Sequence, residues 1–379
     1  MNMINVRRLA VMTFLGAGML SDISAQDFSL QADTLNEARL PAQWDLQSCI
    51  DYALEQNITI RKNRVTAEST QIDVKTAKAA LFPSLSFSTS QQVVNRPYQE
   101  TSSRVSGSEI ISSNSKTSYN GNYGLNASWT IYNGSKRLKT LKQERLNNQV
   151  AELDVATSEN MIKESIAQIY IQILYAAESV RVNENTLQVS IAQCDRGQEL
   201  LNAGSIAKSD FAQLEAQVST DRYQLVTAQA TLQDYKLQLK QLLELDGENE
   251  MNVYLPKLSD ENVLAPLPAK KDVYVSALAI RPEIEASKLN VEASELGIDI
   301  AKSSYFPTIS LSAGIGTNHT SGSDFTFGEQ VKNGWNNSIG LSVSVPIFNN
   351  RQTKSAVQKA KLQRETDMLS LLDEQKALY

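Results

Sequence analysis

Three hundred and seventy-nine residues contain a single histidine and two cysteines. His319 has no cysteine or glutamate cluster at ligand spacing, which argues against a metal site. No glycine-rich loop runs into Lys-Ser or Lys-Thr, so phosphate binding of the P-loop kind is excluded. No Ser, Cys or Thr stands in a motif for an activated nucleophile. The carboxylates are spread along helix faces, where solvated surface is their ordinary role. No enzyme chemistry is visible, and no cofactor is expected. Cys49 and Cys194 fall on different predicted helices; two lone cysteines make no disulfide framework and read as packing residues. A net charge of −6 argues against nucleic acid as a partner. Long apolar runs are missing as well. The one from Leu9 to Leu20 has 12 residues, short of the roughly 20 a spanning helix needs. It follows Arg7 and Arg8 and precedes Ala25, so residues 1–25 read as a secretory signal cleaved before Gln26. No cysteine stands at a lipobox position directly after it, and no N-terminal lipid is expected.

Proline is absent between Pro97 and Pro256, so nothing in that span forces a helix to break. What fills it is a helical hairpin predicted over 135–246 and folded at Gly204. The incoming arm carries Ile166, Ile169, Ile173, Ala176, Val180, Asn183, Leu187, Ser190, Cys194, Gly197 and Leu201. The outgoing arm carries Phe211, Leu214, Val218, Asp221, Leu225, Ala228, Leu232, Tyr235, Leu239 and Leu242. That 3-4 spacing is a coiled-coil seam. The incoming arm, about 100 Å at about 1.5 Å per residue, is nearly twice the outgoing one. A helix predicted over 44–80, stacked end to end with the outgoing arm, would cover the rest. Asp45 or its polar neighbours can cap that helix, and Pro83 ends it.

Two segments then alternate with period 2, the signature of strands. Residues 84–94 place Leu85, Phe87, Thr89, Gln91 and Val93 opposite a row that includes Ser86 and Ser88. Residues 119–131 place Tyr119, Gly121, Tyr123, Leu125, Ala127, Trp129 and Ile131 opposite a row that includes Asn122, Asn126 and Ser128. A polar loop, 95–118, separates them.

The chain then repeats itself. At a shift of 224, Ala53-Leu54 falls on Ala277-Leu278 and Phe82-Pro83 on Phe306-Pro307. At a shift of 216, Gly124-Leu125 falls on Gly340-Leu341. The organisation is a tandem duplication: a first repeat over 26–247, a Pro-containing connector over 248–270, and a second repeat over 271–379. The second holds a helix at 271–303, strands at 308–316 and 338–347, a polar loop 317–337 that includes His319, and the start of a long helix at 350–379. Its strands oppose Ile309, Leu311, Ala313 and Ile315 to Ser310 and Ser312, and Ile339, Leu341 and Val343 to Ser342 and Ser344. The second repeat has no counterpart of 164–247, so a fragment of a longer protein or a truncated product is expected. Four strands with one apolar and one small-polar face fit a membrane barrel. They cannot close one alone, and an open edge in lipid is not allowed, so the chain is expected to oligomerise.

Export signal, duplication, paired strands and coiled-coil hairpin together resemble the TolC family of outer-membrane efflux proteins. The most specific match is the turn Asn202-Ala203-Gly204-Ser205-Ile206-Ala207-Lys208-Ser209-Asp210, followed by Glu215-Ala216-Gln217. Gly204 supplies the left-handed residue that ends the incoming helix, and Ser209 or Asp210 can cap the outgoing one. The resemblance covers 44–379. It implies a mainly helical fold with transmembrane β-structure: a homotrimer whose strands form one twelve-stranded barrel in the outer membrane of a Gram-negative bacterium, over a helical tunnel in the periplasm. On this resemblance the second helical hairpin is expected to be truncated within the given residues. It implies a passive exit duct of a tripartite efflux or type I secretion system. The partners would be outer-membrane lipid, a periplasmic adaptor (a membrane fusion protein) and an inner-membrane pump of RND, ABC or MFS type. Asn202, Ala203, Gly204, Ser205 and Asp210 would meet the adaptor. Ser86, Ser88, Asn122, Asn126, Ser128, Ser310, Ser312, Ser342 and Ser344 would face the lumen. No gate residue is assigned.

The competing readings are a periplasmic coiled-coil adaptor or structural protein, a surface protein that binds through its long loops, and a non-functional fragment of the channel. Adaptors carry one helical hairpin and usually a Gly- and Val-rich lipoyl-like module, and no such module is recognisable.

Overall fold

The structure is a computed structural model that describes residues 43–98, 102–106, 109–113, 116–245, 251–256, 268–321, 323 and 325–379. The predicted signal, the last residue expected for the hairpin (246) and much of the connector lie outside the described residues.

The first helix of each repeat is broken in two. Asp45 caps α1 (Leu46–Gln56), accepting from the Ser48 amide at 2.8 Å. The chain then turns extended at Asn57 and restarts as α2 (Ile58–Ala79). The Asn57 side-chain oxygen accepts from the amides of Thr59 at 2.9 Å and Ile60 at 3.4 Å, so this residue caps the second helix. The continuous helix expected over 44–80 is therefore two helices. The helix expected over 271–303 is likewise α5 (Lys270–Ile280) and α6 (Pro282–Ser303). There the break is at Arg281, held extended because proline follows it. Arg281 is the residue that the shift of 224 places on Asn57, so both repeats bend at the same point by different chemistry.

The strands lie between these helices and the long ones. They are β1 (Ser84–Asn95), β4 (Thr117–Asn133), β5 (Thr308–Thr320) and β6 (Asn336–Ser344), each longer or shifted by a few residues relative to expectation. Between β1 and β4 lies a small hairpin, β2 (Ser102–Ser106) with β3 (Glu109–Ser113), where a loop is expected. Between β5 and β6 lies α7 (Phe327–Asn333), held by a Thr326–Glu329 capping box. β6 stops at Ser344, two residues ahead of Pro346, which cannot donate to the ladder.

The two descending helices are α3 (Lys136–Asn202) and α8 (Gln352–Ala377). α3 runs 67 residues, about 100 Å at about 1.5 Å per residue. α4 (Lys208–Leu242) returns along its far half, while α2 covers the half nearer the sheet. The two covering helices meet at Asn57, whose side-chain amide donates to the Leu242 carbonyl at 3.0 Å. The core lies at this joint. Trp44, Cys49 and Ala53 pack with Ile166, Tyr170 and Ile173 of α3, Leu239 of α4, Leu243, and Met251 and Val253 of the connector. A parallel bridge between Trp44 and Val253 closes it. Burial beside Asp45 pushes the Cys49 thiol up to about 12, so it stays a neutral packing group. Cys194 is half-buried on the hairpin.

Candidate functional site

The four main strands form one antiparallel sheet in the order β1-β4-β5-β6. Registers carry the alternation straight across it. One row reads Leu85, Ala127, Ala313, Ile339, and the next begins Phe87, Leu125, Ile315. On the other face, Ser86, Asn126, Gly314 and Ser338 form a row, as do Ser84, Ser128, Ser312 and Gly340. Asn122 stands between Ser90 and Asn318, Ser88 pairs with Gly124, Ser310 with Ser342, and Thr308 with Ser344. All nine serines and asparagines singled out for the lumen therefore share one face. Their contacts are lateral: Asn126 donates to Ser88 at 3.4 Å, the Ser84 and Ser128 hydroxyls meet at 2.8 Å, and Ser312 donates to the Gly340 carbonyl at 3.2 Å.

The apolar face packs against no core along most of its length. Leu85, Phe87, Ile339 and Leu341 are 65% exposed or more. No strand of this sheet carries Asp, Glu, Lys or Arg. A half-exposed soluble sheet would pack this face on something. This sheet is bare on its apolar side, carries no Asp, Glu, Lys or Arg, and among the described residues leaves β1 and β6 each paired on one side only.

One expected register detail changes. A bulge interrupts the β4–β5 ladder between Thr130 and Tyr132. Ile131 is the extra residue, and Tyr132 rejoins the ladder opposite Ile309. The bulge turns the strand just before it enters α3. There Gly134 and Ser135 both have left-handed backbone, with φ of 68° and 64°. The second repeat makes the same entry with Asn350 and Arg351, at φ of 48° and 65°. Gly134 is irreplaceable on space as well, since an added Cβ would stand 2.7 Å from the Ser303 carbonyl.

His319, expected in a loop, lies on β5 instead. It is opposite Gly121, where a Cβ would clash with the imidazole at 2.2 Å. Tyr119, Tyr123 and Phe327 surround the ring, with centroids 5.0–5.9 Å away. Strand parity could have placed it there had β5 been extended past Gly316.

At the other end of the molecule, Asn202 is the last residue of α3 and Ala203 its C-cap. Gly204 follows with φ of 74°. The Gly204 amide donates to Leu201 and the Ser205 amide to Leu200, which makes a complete Schellman turn. The outgoing cap differs from expectation. Ala207, not Ser209 or Asp210, is the N-cap, and it has no side-chain cap bond. Asp210 lies in the first turn, where the helix dipole favours a carboxylate. Ser209 donates to it at 3.2 Å. Behind the turn is an open groove of about 500 Å³, floored by Gly197, Leu200, Ile206 and Leu214 and rimmed by Arg196, Asp210 and glutamines. Gly197 lets the helices close, for a Cβ there would stand 2.4 Å from Leu214. Further up the seam, Asp221 is buried and accepts from Gln217 at 2.9 Å.

Residues 49–244 and 273–377 match the family model described as outer membrane efflux protein. The chain belongs to that family. Outer membrane efflux protein BepC of Brucella suis is 27% identical over 207 residues, which is 54% of this chain and 42% of that protein. Outer membrane protein TolC of Escherichia coli is 26% identical over 250 residues, 62% of this chain and 48% of its own. The chain thus spans about half the length of these curated relatives. In fold it resembles the Campylobacter jejuni CmeC outer membrane channel, with a TM-score of 0.72 at 17% identity, over 87% of this chain and 67% of that one. Membership puts the chain in the outer membrane of a Gram-negative envelope, and the family is one of channel proteins rather than enzymes. Among the described residues no group of His, Cys, Asp and Glu could hold a metal ion. No described helix is long and apolar enough to cross a membrane.

Proposed function

We propose that the chain is one subunit of a trimeric exit duct, and that three copies of its four-stranded sheet close into a twelve-stranded barrel in the outer membrane. The observation that carries this reading is the sheet itself: apolar side chains bare on one face, Ser, Asn and Gly on the other, no formal charge, and two unpaired edges. Pairing β1 of one copy with β6 of the next satisfies both edges, which a bilayer requires. In that arrangement the apolar rows meet lipid. Ser86, Ser88, Asn122, Asn126, Ser128, Ser310, Ser312, Ser342 and Ser344 line a wet lumen. α3 and the helices packed on it continue the wall into the periplasm. Cargo passes without energy input from this chain, as small molecules or secreted protein. A periplasmic adaptor docks at the Asn202–Ser205 turn and the groove behind it, and couples the duct to an inner-membrane pump.

The test is extraction and conductance. The protein expressed with its leader should require detergent, run as a heat-modifiable trimer, and open pores in a planar bilayer. A water-soluble monomer would refute the reading.

A further inference from the structure

The charge of the molecule changes abruptly where the sheet ends. The four strands of the main sheet carry no Asp, Glu, Lys or Arg, yet both long helices begin with basic residues and no acid of their own to offset them. α3 opens with Lys136, Arg137, Lys139 and Lys142 before its first acid, Glu144. α8 is preceded by Arg351 and carries Lys354, Lys359, Lys361 and Arg364 before its first acid, Glu365. Helix electrostatics disfavour this, because the positive end of the dipole repels cations in the first turn. Some of these groups are used within the chain. Arg137 donates to the Thr130 and Phe82 carbonyls, Lys139 and Lys142 reach Asp299 and Glu292, and Arg364 reaches Glu295. Lys136, Arg351 and Lys354 are exposed and have no carboxylate partner among the described residues, and neither has Lys78 in the last turn of α2.

The same level of the molecule bears exposed aromatic residues. Phe82, Trp129, Tyr132, Phe306 and Phe348 are all 38% exposed or more. Such a belt marks the level of the lipid headgroups on a membrane barrel. The unpaired cations therefore stand at the height of the phosphates of the periplasm-facing leaflet. Their cationic heads, ammonium on the lysines and guanidinium on Arg351, can reach upward along the aromatic belt.

We propose that Lys78, Lys136, Arg351 and Lys354 form a basic collar that binds the headgroups of anionic phospholipid in the periplasm-facing leaflet. The inference rests on the reading that the sheet lies in the membrane. The collar holds the barrel at its proper depth and offsets the helix-end repulsion with charge from the lipid. A basic side chain near an anionic surface strengthens binding roughly fivefold.

The test uses the full chain reconstituted in vesicles, with tryptophan fluorescence as the readout. Trp129 sits at the collar, where it donates to the Leu81 carbonyl at 2.8 Å. Trp44 is buried in the helical core, and a W335F background removes the third tryptophan. Quenching by dibrominated phosphatidylglycerol is compared with quenching by dibrominated phosphatidylcholine. The expected result is a severalfold preference for phosphatidylglycerol that falls toward one in K78Q/K136Q/R351N/K354Q. It should also fall in high salt, and it should be unaffected in K208Q/R222Q, which removes charge from the far hairpin. If the fourfold variant fails to insert, the single changes K136Q and K354Q should each lower the preference. Equal quenching by the two lipids, or a preference the collar changes leave intact, would overturn the proposal. So would a variant that shifts the anion-to-cation permeability of the pore while the lipid preference stays, since the collar would then line the lumen. No quenching by either lipid would instead refute the membrane position of the sheet.

Discussion

Asn57 holds the joint where two short helices become one column against α3. Its side chain has two separable tasks. The oxygen accepts from the Thr59 and Ile60 amides at 2.9 and 3.4 Å, and the amide group donates to the Leu242 carbonyl at 3.0 Å. The residue is 3% exposed, so water cannot take over either role. Removing an N-cap costs about 1 kcal/mol. Leaving the Leu242 carbonyl buried without its donor costs about 1–3 kcal/mol. N57A should therefore destabilise the helical part by roughly 2–4 kcal/mol. N57D keeps the capping oxygen but turns a second, charged oxygen onto the Leu242 carbonyl in a buried site, so it should cost at least as much as N57A while leaving the helix start capped.

Denaturant unfolding of the detergent-solubilised protein, followed by helical circular dichroism, gives the size of each effect. Amide exchange gives its location. In N57A the amides of Thr59 and Ile60 should lose protection together with those at the end of α4. In N57D the helix-start amides should stay protected while the α4 end frays. A cost for N57A below about 0.5 kcal/mol, within the range of an indifferent surface change, would refute the reasoning. So would N57D and N57A giving the same exchange pattern, because the cap would then carry none of the joint.

Other perturbations separate the faces of the sheet and the parts of the turn. Leu341→Arg puts a charge on the bare apolar face and should cost about 2–4 kcal/mol at mid-membrane, abolishing the heat-modifiable form; Ser342→Arg, one residue on, should insert and shift ion selectivity. If both insert equally well, the assignment of faces is wrong. Gly204→Ala places a Cβ in open space but forces it into left-handed backbone, at about 1–2 kcal/mol. Faster exchange at the amides of position 204 and of its neighbours Ala203 and Ser205 should show it, and Gly204→Asn should be milder. With the native protein, maleimide near pH 8 should label Cys194 and spare Cys49, whose thiol burial holds up to about 12. Equal labelling would mean that the joint opens.

Periodic features were the legible ones. Alternation gave the strands and their faces, because side-chain direction in a strand is set by parity alone. The 3-4 spacing gave the hairpin seam, and Ile166, Ile173, Ala176, Ser190, Gly197, Asp221 and Leu239 of that stripe are buried. Gly204 gave the turn, since a left-handed C′ residue has a strong side-chain preference. The failures are single-residue events inside such patterns. Asn57 carries no periodic signal against helix, and its bond to Leu242 joins residues 185 apart in the chain, which no local pattern reports. Pro282 did carry a signal, for it restricts Arg281 to extended backbone. At the outgoing cap, Ala207 has no side chain to advertise the role, whereas Ser209 and Asp210 look like caps without being any. The β2–β3 hairpin and α7 fall in Ser- and Asn-rich stretches where neither period is present.

The same contrast explains why the site was legible as a face but not as a structure. The nine lumen candidates differ little from one another: all are small and polar, and all sit on rows fixed by parity. A wet wall asks only for that, so composition suffices to pick it out. The entry into the long helices asks for more. Within a few residues the chain must leave the strand, pass two left-handed residues and start a helix, and the two repeats make that passage with Gly134-Ser135, after a bulge in β4, and with Asn350-Arg351, after β6 has ended at Ser344. Gly134 must be small because the Ser303 carbonyl and Phe306 crowd it. Asn350 meets the backbone demand with a residue type that tolerates left-handed geometry, and Arg351 adds charge in a place where the helix itself disfavours it. What the second repeat keeps of the first is the left-handed backbone path, and the side chains differ with the surroundings, crowded by protein at Gly134 and exposed at Asn350 and Arg351.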